Sequence, residues 1–373
     1  MNKLVSIIIL SYNRLKYFKE ALDSVLKQTY SPLELVIADD CSTDFEILLN
    51  AYLGMSLEKY INKNKNNEMS FAIIKNKKNI GTVKNIKNAV DNSTGEYIFS
   101  FGADDILYDI DTIKDCVSIM NKQNYDMLVV QLRCYSEELK DLNRNVIDES
   151  CFENIMKDNR NALLKENMHE TTFYNVMYKR ELYNKLDFYN IPLFLIEDTY
   201  RNYLVLKSNA VIGYTEKSAL KYRMTDNSVV LQRVDINLRR VFELELFLSA
   251  ILMDDLFEQY KNQILSVPSK RKIVVWGAGS GLEKGYTGIT NKFKKISYIV
   301  DNDTAKQGTK FKNIDILPPS VLLNTNKDEI MILVCSAFYF KGIASWLTYN
   351  GFEEGKNFLP CGIRVAPLLG TII

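Results

Sequence analysis

The sequence predicts an α/β protein made of two successive units, each a sheet with parallel strands covered by helices. Three observations predict it. Short, continuous, β-branched apolar runs alternate with helix-period segments over the first hundred residues. A polar, Pro-bearing break follows at 266–272, and the same alternation restarts after it.

The elements follow in order. VSIIIL at 5–10 reads as a strand buried on both faces. In RLKYFKEALDSVLKQTY, Leu15, Phe18, Leu22, Val25 and Leu26 recur at helical spacing. Pro32 marks the turn into LELVIADD at 33–40, a second buried strand ending in two carboxylates. A helix is predicted around 45–60, then a solvated Lys/Asn-rich loop at 62–68. FAIIKN is a third strand, GTVKNIKNAVDN a helix, and EYIFSF a fourth strand running into Gly102, Ala103, Asp104 and Asp105. Residues 106–235 are mixed, and 235–265 are strongly helical. Beyond the break come KIVVWGAGSG, a helix, KISYIVDND, a loop carrying Pro318 and Pro319, EIMILVCS and a last helix, KGIASWLTYNGF. The domain bounds expected are therefore 1–265 and 271–373.

Composition narrows the function. Lys and Arg number 47 against 46 Asp and Glu, so no excess charge drives general binding to nucleic acid or an acidic membrane. No apolar run reaches the roughly 18–20 residues of a transmembrane helix. The amino terminus reads as a strand and not as a signal peptide, so a cytoplasmic chain is expected, with the inner membrane face also open to it. Six cysteines lack CxxC spacing and are expected to be reduced. With a single histidine, His169, a His-based zinc site is nearly excluded and acid–base work falls to carboxylates.

In open α/β sheets ligands sit beyond the carboxyl ends of the strands. The polar clusters 11–14, 39–42 and 102–105 fall there. Asp39 with Asp40, and Asp104 with Asp105, are adjacent acids at strand ends, a pattern that suits a hard divalent cation. Glu197 and Asp198 form a third acidic pair. Each pair can equally cap a helix or face solvent.

Taken in order, VSIIILSYNR, ALDSVLKQTY, LELVIADDCSTD, KNIGTVKNIKNAV, GEYIFSFGADD and IEDTYR resemble the family 2 glycosyltransferases of the GT-A fold. The resemblance implies a GT-A nucleotide-sugar-binding domain with a mixed, mainly parallel sheet. It implies inverting transfer from a UDP-sugar to a glycan, glycolipid or protein acceptor, assisted by Mn²⁺ or Mg²⁺. Residue by residue, it puts Ser11, Tyr12 and Asn13 against the nucleoside, with Asp40, preceded by Asp39, accepting from the uracil ring. Asn79, Gly81 and Lys84 match a further nucleotide-side stretch, with Lys84 in place of the usual Arg. Arg223 is expected on the diphosphate, and Thr225 stands where the family often has His. The metal motif falls on Asp104 and Asp105, with Gly102 in place of its first acid. Asp198 matches the catalytic base.

In the second unit, Gly277, Gly279 and Gly281 follow a strand, and Asp301 ends the next one. This resembles a dinucleotide-binding fingerprint in which Leu282 replaces the third glycine, so a Rossmann-like accessory domain is expected. The competing readings are a non-catalytic nucleotide-sugar-binding module and an NAD(P)-dependent enzyme acting through residues 270–373. A nucleotidyltransferase would need a basic glycine-rich loop after the first strand, which SYNRLKYF is not.

Overall fold

A computed structural model describes residues 2–65, 68–169, 171–225, 261–268, 270–336 and 339–361. They divide into two compact units, one within 1–163 and 172–241 and the other within 164–171 and 242–373. Most of the helix expected at 235–265 lies outside the described residues. The helical stretch at 261–266 belongs to the second unit, so the polar break at 266–272 falls inside that unit. Among the described residues no helix is long and apolar enough to cross a membrane.

The first unit is built on strands β1 (Val5–Ser11), β2 (Leu33–Asp39), β3 (Met69–Lys75), β4 (Tyr97–Gly102), β5 (Ile106–Leu107), β6 (Met127–Tyr135), β7 (Asp141–Asn145), β8 (Val176–Lys179) and β9 (Ile212–Arg223). Their order is β3-β2-β1-β4-β8-β6-β9-β5, with β7 on β6. The first four are parallel, whereas β8 is antiparallel to both β4 and β6. The sheet is therefore mixed. β1 and β2 are buried along almost their whole length, as expected of strands covered on both faces. Helix α1 (Leu15–Leu26) packs onto the sheet through Leu15, Phe18, Ala21, Leu22, Val25 and Leu26, the stripe its periodicity predicted.

The single helix expected around 45–60 is two, α2 (Phe45–Leu53) and α3 (Leu57–Asn64). Gly54 ends the first in a left-handed conformation (φ 68°), where glycine meets no Cβ penalty, and Ser56 starts the second from an extended conformation. The second helix also takes up the start of the predicted 62–68 loop.

The second unit has β10 (Lys272–Trp276), β11 (Ile296–Val300), β12 (Lys310–Phe311), β13 (Ile314–Leu317), β14 (Ile330–Val334) and β15 (Phe358–Pro360), in the order β12-β13-β11-β10-β14-β15. All but β12 run parallel. The region read as a loop before Pro318 thus contains β12 and β13, and β15 was also missed. At two to four residues each, these strands carry too little pattern for periodicity to register. Trp276, Val300, Ile332, Leu347 and Phe358 are among the residues of its own hydrophobic core.

Candidate active site

The carboxyl ends of β1, β2 and β4 meet at one edge, because the three strands are in parallel register through Ser11, Asp39 and Gly102. Asp40 N–H then donates to Ser11 O (2.8 Å), and Ala103 N–H to Leu10 O (2.8 Å). The three polar clusters are thereby locked side by side.

The Asp40 carboxylate is 4% exposed and accepts from Ile80 N (2.9 Å), Asn76 Nδ2 (3.0 Å) and Gly81 N (2.8 Å). A carboxylate offers about four acceptor positions, so one remains for a ligand N–H. Asp39 is turned inward, accepting from Ser42 N and Ser42 Oγ. Burial pushes its carboxyl up, against the hydrogen bonds from Ser42 that hold it down. Asn13 has a left-handed backbone (φ 54°). It bridges to the second cluster through its N–H to Ser42 Oγ (2.8 Å) and its Oδ1 from Thr43 N (3.0 Å). Tyr12, 47% exposed, leaves an open ring beside this edge.

Asn79 Oδ1 accepts from Gly81 N (3.0 Å) and shapes the turn into helix α4 (Thr82–Asp91). Gly81 is required there. Its φ is +84°, and a Cβ would lie 2.5 Å from Phe194 O. Lys84, the cation expected on the nucleotide, is an exposed residue of α4. Its neighbour Asn85 is the buried one, bonded to Asn76 and Ala38 O.

Arg223, expected on the diphosphate, is 4% exposed and acts as a lock. Its N–H donates to Asp105 Oδ1 (2.9 Å), and Nε to Asp104 O (2.9 Å). Its terminal nitrogens go to Glu137 O and Glu20, and its guanidinium lies 4.6 Å over the Tyr17 ring. Three of its five side-chain donors are thus engaged within the protein. Asp105, expected on the metal, is 5% exposed and receives the Arg223 N–H. Burial first, then the Asp104 charge, holds its carboxyl well above the ordinary range. Asp104 is the accessible acid of the pair. Burial raises its carboxyl too, opposed first by Arg14, whose Nε lies 3.3 Å from Asp104 Oδ2. Gly102 has a physical reason: a Cβ there would lie 2.7 Å from Asp104 Oδ1. The missing acid leaves the space that the Asp104 carboxylate uses, which weakens the reading of a decayed site.

Asp198 is the second residue of α9 (Glu197–Lys207), and its Oδ1 accepts from Thr199 N (2.7 Å). The residue before the helix, Ile196, is left-handed (φ 51°) although β-branched. Such a conformation costs about 1–3 kcal/mol and persists only where the surroundings impose it. Here Phe194 O accepts from Val83 N (3.3 Å), fastening this segment to the start of α4. The Tyr222 phenol of β9 is pushed up by burial first and then by the charges of Asp105, Asp104, Cys134 and Asp198.

Sequence reasoning missed Arg14, Tyr222 and the strain at Ile196. Arg14 was visible as the last residue of the 11–14 cluster, but its partner Asp104 is ninety residues away. His169 ends helix α7 (Arg160–His169), and its side chain lies outside the described residues.

Comparison with known proteins decides what this edge belongs to. Residues 6–187 match the family described as Glycosyl transferase family 2. Over that stretch the first unit is similar to the family 2 glycosyltransferases. Residues 269–356 match the family described as C2185-like, N-terminal. Among relatives of the chain is the poly(ribitol-phosphate) beta-N-acetylglucosaminyltransferase TarS of Staphylococcus aureus, 29% identical over 130 residues. That match covers 34% of this chain and only 21% of TarS, so the chain spans about a fifth of that relative. Glycosyltransferase GlyG of Streptococcus pneumoniae is 25% identical over 253 residues, 64% of this chain and 77% of GlyG. A crystal structure of S. aureus TarS 1-349 with UDP-GlcNAc is 19% identical, covers 69% of each chain and has a TM-score of 0.49.

The first unit thus brings Asp40 and Asp104 to one edge, with Asp39 and Asp105 turned inward, and places Asp198 at the start of α9. Among the described residues no group of three His, Cys, Asp or Glu side chains converges as a ready-made metal site. What the edge offers a cation is the Asp104 carboxylate, a hard oxygen donor. That fits Mg²⁺ or Mn²⁺, which need only one or two carboxylates when substrate phosphates complete the shell.

Proposed function

We propose that this chain is an inverting glycosyltransferase that moves a sugar from a UDP-sugar to a hydroxyl acceptor, a glycan, glycolipid or protein. The observation that carries the reading is the acid-bearing edge itself: Asp40 accepts from Gly81 N, Phe194, four residues before Asp198, is fastened to the start of α4 beside it, and Asp104 follows β4. Asp40 has an acceptor position left for the imide N–H of uracil, a group cytosine lacks. Tyr12 supplies an exposed ring for the base or ribose, and the backbone of 11–13 the surface beneath it. The names of TarS and GlyG support sugar transfer, and that of TarS supports an N-acetylhexosamine as one donor to test first.

In the reaction, the acceptor oxygen forms a bond to the anomeric carbon as the bond from that carbon to the diphosphate breaks on the opposite face. Asp198 takes the acceptor proton, the role a positioned carboxylate can fill. Held by Asp104, a divalent cation would neutralise charge on the departing diphosphate. Asp105 and Arg223 keep Asp104 in place from beneath.

The second unit is assigned as a Rossmann-like accessory domain without a redox role. Its parallel order supports this. Asp301 accepts from Ala278 N (2.7 Å) and Asp303 N (2.9 Å). With Leu282 in place of the third glycine the fingerprint is incomplete, and NAD(P) chemistry is disfavoured.

Incubating the protein with a panel of UDP-sugars and Mn²⁺ and following UDP release tests the activity. Calorimetry with UDP, CDP and ADP tests the base. Equal affinities would remove the uracil role of Asp40, and absence of UDP release with every donor would favour a binding module.

A further inference from the structure

Arg14 stands where a cation is electrostatically unwelcome. It is the residue directly before α1, at the positive end of the helix, and it makes no side-chain cap. What holds it there is on the page. The left-handed Asn13 is pinned on both sides to Ser42 and Thr43, which fixes the direction in which the chain enters the helix. The guanidinium then meets Asp104 Oδ2 at 3.3 Å, with both side chains about four-fifths buried (18% and 21% exposed). The opposite oxygen, Oδ1, faces Gly102, the one residue that leaves room for it. Asp104 is thus presented between an arginine on one oxygen and a glycine on the other, while its own carbonyl is held by Arg223.

We propose that in the donor-free protein Arg14 occupies the place on Asp104 that a divalent cation takes, so that cation and donor diphosphate load together. On loading, Arg14 transfers from the carboxylate to the diphosphate, which offers the same planar guanidinium a bidentate oxygen partner. This rests on the reading of Asp104 as the cation ligand. It adds a residue that the match to the family's motifs did not assign. It also gives Gly102 a function, because a side chain there would drive the carboxylate off the arginine.

The test is direct Mn²⁺ binding to the full-length protein, read from the electron paramagnetic resonance of free Mn²⁺, with and without UDP. Wild type should bind Mn²⁺ weakly alone and far more tightly with UDP. Arg14→Gln should tighten Mn²⁺ binding in the absence of UDP by roughly 5–150-fold, the usual range of coupling between interacting sites. It should also weaken UDP binding in the presence of Mn²⁺. A residue needed only for folding would move the first value the other way. Arg14→Lys keeps the charge and should restore weak Mn²⁺ binding. Arg14→Met also removes the charge and should act like Arg14→Gln, which gives an independent route should Arg14→Gln fold poorly. Unchanged or weaker Mn²⁺ binding by both Arg14→Gln and Arg14→Met, with Asp104→Asn still abolishing it, overturns the competition and leaves Asp104 as ligand. Unaltered Mn²⁺ binding by Asp104→Asn removes the ligand assignment itself, and the proposal with it.

Discussion

The central strands of the two units share one arrangement and differ at their edges. In the first, β3-β2-β1-β4 are parallel neighbours; in the second, β13-β11-β10-β14 are arranged the same way. In both, an acid follows the second strand of the unit and accepts from backbone N–H groups. Asp40 receives Ile80 and Gly81; Asp301 receives Ala278 and Asp303. The edges diverge after the next parallel strand. β4 runs into Asp104 and Asp105, whereas β14 runs into Cys335, buried and hydrogen-bonded to Cys361, with its thiol held well above the ordinary range. The same topology therefore gives one edge that carries carboxylates and one that carries cysteines. Fold places a site, but the side chains at the strand ends decide whether it can act.

Breaking the chemical edge should have the largest effect. Asp198→Asn is nearly isosteric and leaves Asp40 and Asp104 untouched, so UDP binding should persist while transfer falls by roughly 10²–10⁴-fold. Steady-state rates alongside UDP calorimetry check this. Near-normal turnover would move the base to Glu197.

Gly81→Ala probes the fastening of α9 to that edge. A methyl group would meet Phe194 O at 2.5 Å on a backbone with φ +84°, so stability should drop by about 1–3 kcal/mol. Denaturant unfolding measures the loss. Stability within a few tenths of wild type would show that the Phe194 segment yields easily and does not position Asp198.

The matching change in the other unit sharpens the contrast. Asp301→Ala removes the acceptor for two backbone N–H groups and should cost about 1–3 kcal/mol in that unit. Transfer by the first unit should stay within about twofold of wild type at a temperature where the protein is folded, well below one 1.4 kcal/mol tenfold step. A tenfold or greater loss of turnover would show that the second unit takes part in the reaction.

Asp39 gives the smallest effect, through pH. Its folded-state carboxyl is raised by burial, so between the ordinary Asp value and that raised value the folded protein holds a proton the unfolded chain has lost. Stability therefore falls as pH rises through this window. Asp39→Asn should flatten that slope, by about 1.4 kcal/mol for each unit of raised pKa. Melting temperatures from pH 3.5 to 7 follow it. An unchanged slope would assign the dependence to other acids.

The alternating runs were enough to read the central parallel strands of both sheets, because parallel strands buried on both faces must be continuously apolar, as VSIIIL and IMILV are. The acids could also be read at their strand ends, since a charge that follows an apolar run has to leave the core there. What each acid does could not be read this way. Asp39 and Asp40 are adjacent in sequence, yet one bonds within its own turn and the other to residues forty positions on. Likewise Asp105 faces the Arg223 backbone while Asp104 meets Arg14. Hydrogen-bond partners brought together by β-sheet register are set by long-range packing, which no local pattern encodes. The sequence by itself determined the two α/β units, the edge that carries the acids and the family they resemble. Only the tertiary structure decided that Arg223 is a lock, that Gly102 makes room for a carboxylate, and that Arg14 reaches across to it. Each of these depends on distances of a few ångströms between residues far apart along the chain.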